Sequence, residues 1–146
     1  YEQIHQKAIK CELSHWRSDI RGRLAEIIII DQFSRNMFRG SALSFVYDSL
    51  ALSLSQEAIS SGESGKLTKI ERNFLYLPFM HSESSKIHES AFKLYKENGA
   101  ESSFEYEKKH KKIIDRFGRY PHRNEILNRE STKEELLFLK LPDSSF

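Results

Sequence analysis

Leu24-Ala25-Glu26-Ile27-Ile28-Ile29-Ile30-Asp31-Gln32 decides the fold class. Four consecutive β-branched residues suit a strand, where branched side chains pack on a pleated surface. The flanks point the other way. Leu24, Ala25, Glu26 and Gln32 are good helix formers, and a helix with an uninterrupted apolar run must be buried on most sides. No other segment offers a partner strand, so the chain reads as all-α. The run is far shorter than the ~18 apolar residues that span a bilayer, and Glu26 and Asp31 bracket it.

Helix signals continue on both sides of this segment. Thr68-Lys69-Ile70-Glu71 has capping-box spacing, in which hydroxyl and carboxylate satisfy orphan backbone N–H groups. Ser102-Ser103-Phe104-Glu105 and Ser131-Thr132-Lys133-Glu134 repeat it, predicting helices over about 69–80, 103–117 and 132–139. Tyr47, Leu50, Ala51, Leu54 and Ala58 fall on one helical face that closes near Gly62. Tyr106, His110, Ile113, Ile114 and Phe117 form another stripe, stopped by Gly118. Pro121 suits the first turn of a short helix over about 121–128, where its missing N–H costs nothing. Ser60-Ser61-Gly62 and Ser84-Ser85 read as loop joints, and no repeat of fixed period is visible. The expectation is one domain over residues 1–146, an array of antiparallel helices that buries its faces by stacking helix pairs.

Composition narrows the function classes. At 146 residues the chain has room for one domain, and an aromatic content of 12% can fill its core. Twenty-three Lys and Arg against 21 Asp and Glu leave a net charge of +2, which gives no reason to expect nucleic acid or a membrane as partner. Cys11 is the one cysteine, so no internal disulfide or cysteine-rich metal site can form. Tyr1 to Lys10 is too polar for a signal peptide, and the expected setting is cytoplasmic. A start at Tyr1 rather than Met suggests that an N-terminal piece has been removed. There is no Gly-rich phosphate loop, no His-Glu-x-x-His, no Gly-x-Ser-x-Gly and no metal-ligand spacing, so neither cofactor nor metal is expected.

The polar residues cluster unevenly. Asp31, Gln32, Arg35 and Asn36 close the isoleucine-rich helix, and Asp31 and Arg35 share a face and can pair. That pair reads either as a helix-end tie for the turn Arg39-Gly40-Ser41 or as part of a site. His81 and Glu83 follow Pro78, where His81 either works with Glu83 in acid–base chemistry or caps the last carbonyls. His110 lies on an apolar stripe, the usual place of a core histidine, and Lys108, Lys109, Lys111 and Lys112 beside it cover a solvated face. Cys11 and His15 are four apart, which reads either as a thiol–imidazole pair or, since one spacing match is a weak signal, as incidental placement. The densest stretch is Arg116-Phe117-Gly118-Arg119-Tyr120-Pro121-His122-Arg123-Asn124, followed by Arg129. Its arginine forks suit a carboxylate or phosphate. The alternative is that they tie helices together through Asp31, Glu71, Glu83 or Asp115.

Four motifs taken together resemble a family. They are Asp31 to Gly40, Tyr76 to Glu83, Arg116 to Asn124, and Ser131-Thr132 with Glu134-Glu135. In order and spacing they are similar to the uncharacterised bacterial family called domain of unknown function nine-two-four, from about Leu24 to Phe146. The resemblance implies a tetratricopeptide-like stack of helices and no assigned activity. It carries over Asp31, Arg35, Asn36, His81, Glu83, His110, Arg116, Arg119, His122, Arg123, Asn124 and Arg129 as motif residues. Ser34 stands where the family usually has proline, and Asn128 where glycine is usual, a position at which Asn tolerates a left-handed backbone. The family's aromatic-rich N-terminal segment is not visible. Its loss would leave an apolar groove open to self-association, as a homo-oligomer, or to partner binding.

Three functions follow as expectations. The first is recognition of a small anionic molecule or acidic peptide by Arg35, Asn36, His81, Arg116, Arg119, Arg123, Asn124 and Arg129, with Asp31 positioning an arginine. The second is an enzyme with His110 or His122 as general base, oriented by Asp31 or Glu83. The third is an interaction scaffold in which the polar network only joins helices.

Overall fold

The computed structural model describes residues 1–146, all helix, turn and loop with no strand. Helix α1 (Glu2–Ile9) is followed by a 3₁₀ turn at Ser14–Ser18 and by α2 (Ile20–Ile28). A π-helical turn, Ile29–Phe33, then leads without interruption into α3 (Ser34–Met37). The isoleucine run is therefore helical, and Ile27, Ile29 and Ile30 are buried. The wide turn falls on the last of these isoleucines and on Asp31, where the Ser34 hydroxyl donates back to the Ile30 carbonyl at 2.6 Å. That hydroxyl also lies 2.8 Å from Nε2 of the buried His5 in α1. Gly22 is dictated by space, because any Cβ there would collide with the Trp16 carbonyl.

After a 3₁₀ turn at Ala42–Ser44 come α4 (Asp48–Ser60), α5 (Lys69–Met80), α6 (Ser85–Asn98), α7 (Glu101–Phe117) and α8 (Lys133–Phe138). The Thr68–Glu71 capping box forms with bonds of 2.8 and 3.1 Å, and α5 occupies the predicted range. Ser84 caps α6, and Gly99 and Gly118 end α6 and α7 in the left-handed conformation. Two of the expected starts shift. Gly99 is followed at once by Ala100, so α7 begins at Glu101, and Ser102 lies inside the helix rather than capping it. The last capping box is Thr132 with Glu135, one residue later than Ser131 with Glu134. The helix expected over 121–128 shrinks to a single 3₁₀ turn, Pro121–Arg123. Asn128 takes a positive φ of 54° there, and the Arg129 N–H returns to the Asn124 carbonyl, closing the segment as a loop.

The short joints on either side of α6 turn the chain back on itself, and α6 packs against both α5 and α7. The main core gathers Ala8, Leu24, Ile27, Ile30, Ala51, Leu54, Leu75, Phe79 and Tyr95 from α1, α2, the π-helical turn, α4, α5 and α6. A smaller core joins Ile113 and Ile114 of α7 to Tyr120 and Phe138. On the α7 stripe Tyr106 is largely exposed, and Glu107 faces inward in its place. No helix is long and apolar enough to cross a membrane. One end of the molecule collects the wide turn, the start of α4, the α5–α6 joint and the loop after α7.

Candidate functional site

Asp31 sits in the wide turn with 2% of its side chain exposed. Its carboxylate accepts from Nδ1 of His81 at 2.8 Å, from the Gln32 amide at 2.6 Å and from Arg35 at 3.1 Å. Burial alone would raise its pKa, but the charge and hydrogen bond of His81, with Arg35 and Gln32, hold it down to about 2. Arg35 then forks onto Asp48 at the start of α4, with bonds of 2.8 and 2.9 Å. The 3₁₀ turn at Ala42–Ser44 reverses the chain between them.

Glu83, in the α5–α6 joint, accepts two parallel bonds of 3.0 Å from Arg129 and the Tyr120 N–H at 2.7 Å. These donors outweigh the burial that would raise its pKa and leave it lowered. Asn124 holds Arg129 from behind, accepting from Nε at 3.0 Å and donating to Ser131 at 3.1 Å.

Between the two paired carboxylates lies Arg123, with only 7% of its side chain exposed. Its guanidinium is sandwiched by the faces of Phe45 and Tyr120, 4.2 and 4.8 Å from the ring centres. One Nη donates to the His81 carbonyl at 3.1 Å. The other is 3.7 Å from Asp48 and 3.8 Å from Glu83, too far for hydrogen bonds, and Nε is buried with no partner. Burial lowers the pKa of this arginine. Beside it opens a cavity of about 340 Å³, walled by Phe45, Val46, Leu52 and Leu127 and by the polar groups Asp48, His81, Glu83 and Arg123.

The structure thus brings together Asp31, Arg35, His81, Glu83, Arg123, Asn124 and Arg129 from the sequence candidates. It does not bring the others. Arg119 forks onto Glu135 at 2.9 and 2.7 Å and donates to the Glu130 carbonyl, which docks α8. Arg116 lies over Phe117 and Phe138 beside a different cavity. Asn36 is exposed and makes no side-chain hydrogen bond. His110 donates Nδ1–H to the Tyr106 carbonyl at 2.7 Å and packs on Phe146, and burial drives its pKa down to about 3. His122 lies against Tyr120 and Phe146 with Nδ1 buried and unpartnered; burial, then Arg123, lowers it to about 4. Neither ring bonds to Asp31 or Glu83, so the expected pairing of His110 or His122 with those carboxylates is replaced by His81 with Asp31. His81 does not pair with Glu83 either, because Arg129 occupies that carboxylate.

Two features escaped the sequence. Asp48 and Phe45 complete the site, and no local spacing connects them to Arg35 or Arg123. Behind the site, fully buried His88 and Glu107 lie 2.9 Å apart, with His88 Nε2 2.7 Å from the Ser82 carbonyl and 3.0 Å from the Tyr120 hydroxyl. Glu107 was readable, since it shares a face with His110 and Ile114. No group of three or more His, Cys, Asp or Glu side chains is arranged to hold a metal ion.

No curated protein matches the chain. A solved structure of a protein of unknown function from Agrobacterium tumefaciens is similar, with a TM-score of 0.92 and 37% identity over 96% of this chain and 79% of that one. The model of a family of bacterial proteins of unknown function, DUF924, matches residues 1–143. Two of the four motifs, Tyr76 to Glu83 and Arg116 to Asn124, line the cavity, and the chain that carries all four belongs to the DUF924 family.

Proposed function

We propose that the cavity binds a small anionic molecule whose carboxylate or phosphate is received by Arg123. The observation that supports this reading is the under-used guanidinium. A buried arginine has five N–H donors to satisfy; here one Nη donates to the His81 carbonyl, Nε is sealed in the interior, and the other Nη, between Asp48 and Glu83, has no acceptor in bonding range and is not sealed off. An anion that accepts from this free Nη makes a charge-assisted hydrogen bond with a guanidinium already held in place. Asp48 and Glu83 oppose it little, because Arg35 and Arg129 each neutralise one of them. The apolar walls accommodate a short carbon skeleton, and the volume, about 340 Å³, is at the small end of ligand pockets.

Titration calorimetry with inorganic phosphate, succinate and glutarate tests the reading. At least one binds the wild type and the Arg119→Ala variant alike, and Arg123→Met abolishes the signal while keeping its fold by circular dichroism. Absence of binding by all three anions, or equal binding by Arg123→Met, overturns it.

A further inference from the structure

Six histidines are present, and one is placed differently from the rest. His5 bonds the Ser34 hydroxyl inside the core, and His88 has both ring nitrogens engaged. His110 is tied to a backbone carbonyl, His122 has no carboxylate partner, and His15 only edges onto Trp16. His81 alone gives one nitrogen to a carboxylate and lines a cavity, where Nε2 has no protein partner and is not buried.

The geometry points to hydrolysis of a small carboxylate-bearing ester in this cavity, with His81 as the general base that activates water; the inference rests on the anion-binding reading above. Asp31 is ionised and held by Gln32 and Arg35, so it fixes the imidazole with hydrogen on Nδ1 and the lone pair on Nε2. Arg123 donates to the carbonyl of His81 itself, which places the anion anchor within one residue of the base. The Ser82 hydroxyl accepts the Ser84 N–H in the turn, so it serves the joint, and water is the nucleophile. Around His81 stand Asp31 from the wide turn, Arg35 from α3, Asp48 from α4, Glu83 from the α5–α6 joint and Arg123 from the loop after α7.

The step balances without any further reagent. Nε2 takes a proton from water as the water oxygen bonds to the ester carbonyl carbon. The bond from that carbon to the alcohol oxygen then breaks, and the imidazolium returns its proton to the departing oxygen. An acid and an alcohol result, and nothing is oxidised or reduced. His81 is the catalytic residue, and Asp31 is a positioning residue.

The test uses the mono-p-nitrophenyl ester of glutaric acid, with neutral p-nitrophenyl butyrate as comparison and glutarate binding measured in parallel. The wild type hydrolyses the acidic ester faster than the neutral one, and glutarate competes. His81→Gln loses roughly 10²- to 10⁴-fold in kcat, the usual worth of a general base, while still binding glutarate. Asp31→Asn keeps KM and shifts the pH–rate profile. Should His81→Gln fail to fold, the wild-type profile decides, since a general-base imidazole requires a rate that rises through a single ionisation. Glutarate binding that needs Arg123 but comes with no turnover, with turnover unchanged in His81→Gln, or with a flat pH profile, overturns the hydrolase and leaves the binding site standing. Absence of glutarate binding overturns the hydrolase together with its anionic substrate.

Discussion

His81 and Asp31 lie fifty residues apart in sequence and 2.8 Å apart in space. The contact joins the end of α5 to the wide turn that follows α2, so one hydrogen bond unites two elements of the main core. Asp31 has three donors around it and almost no solvent, which makes it the least replaceable polar residue of the site.

Asp31→Ala is expected to cost about 3–5 kcal/mol, because it strips a buried network of its charge and leaves its partners unmet. Asp31→Asn keeps the shape and costs less. Urea unfolding of both variants checks the order, and equal stability of Asp31→Ala and wild type would contradict the role assigned to this carboxylate.

Arg119→Ala leaves anion binding intact and loosens α8 instead. Its fork to Glu135 and its bond to the Glu130 carbonyl hold the loop and last helix against the end of α7. Hydrogen exchange read by mass spectrometry shows faster labelling over residues 130–139, with the cavity segments unchanged.

Stability falls on mild acidification. His110 and His122 are held at about 3 and about 4, below their ordinary 6.5, chiefly by burial. The unfolded chain therefore binds their protons first. Their contribution is complete above about 6.5 and is lost as pH falls toward the folded values. For His110 this amounts to on the order of 3 kcal/mol between pH 6.5 and 4. Asp31 adds a second loss lower down, below its ordinary 3.8 toward about 2. Melting temperatures across pH 4–8 reveal the first slope, and His110→Leu flattens it; an equally steep slope in that variant would place the protonation elsewhere.

Gly22→Ala destabilises by more than the propensity scale suggests. Alanine is the better helix former by about 1 kcal/mol, yet here its methyl group collides with the backbone of the Ser14–Ser18 turn. A lowered melting temperature is expected where a surface Gly→Ala change would raise it.

Local features were the ones legible in the sequence. The flanks of the isoleucine run announced a helix, and the spacing of Asp31 and Arg35 announced their pairing, which the structure shows at 3.1 Å. The capping box at Thr68 and the left-handed Asn128 were also readable, since each depends on a few neighbouring residues. What escaped depends on the chain coming back on itself. Arg35 meets Asp48 only because an intervening turn reverses direction, and His81 prefers a distant carboxylate to Glu83, two residues away. Arginine density misled in one respect: Arg116 and Arg119 are neighbours of Arg123 in sequence, but left-handed Gly118 and the following turn send them to a different face.

The wide turn at Ile29–Phe33 amounts to one inserted residue, accommodated inside a helix rather than expelled into a loop. Each residue of an ordinary helix advances about 100° around the axis. Removing one residue from this stretch would restore regular pitch and swing everything downstream by that angle, carrying Arg35 away from Asp48 while Ile27 kept its place. Insertions and deletions should therefore be tolerated around exposed Gly62 and Gly65 and should dismantle the site when placed here.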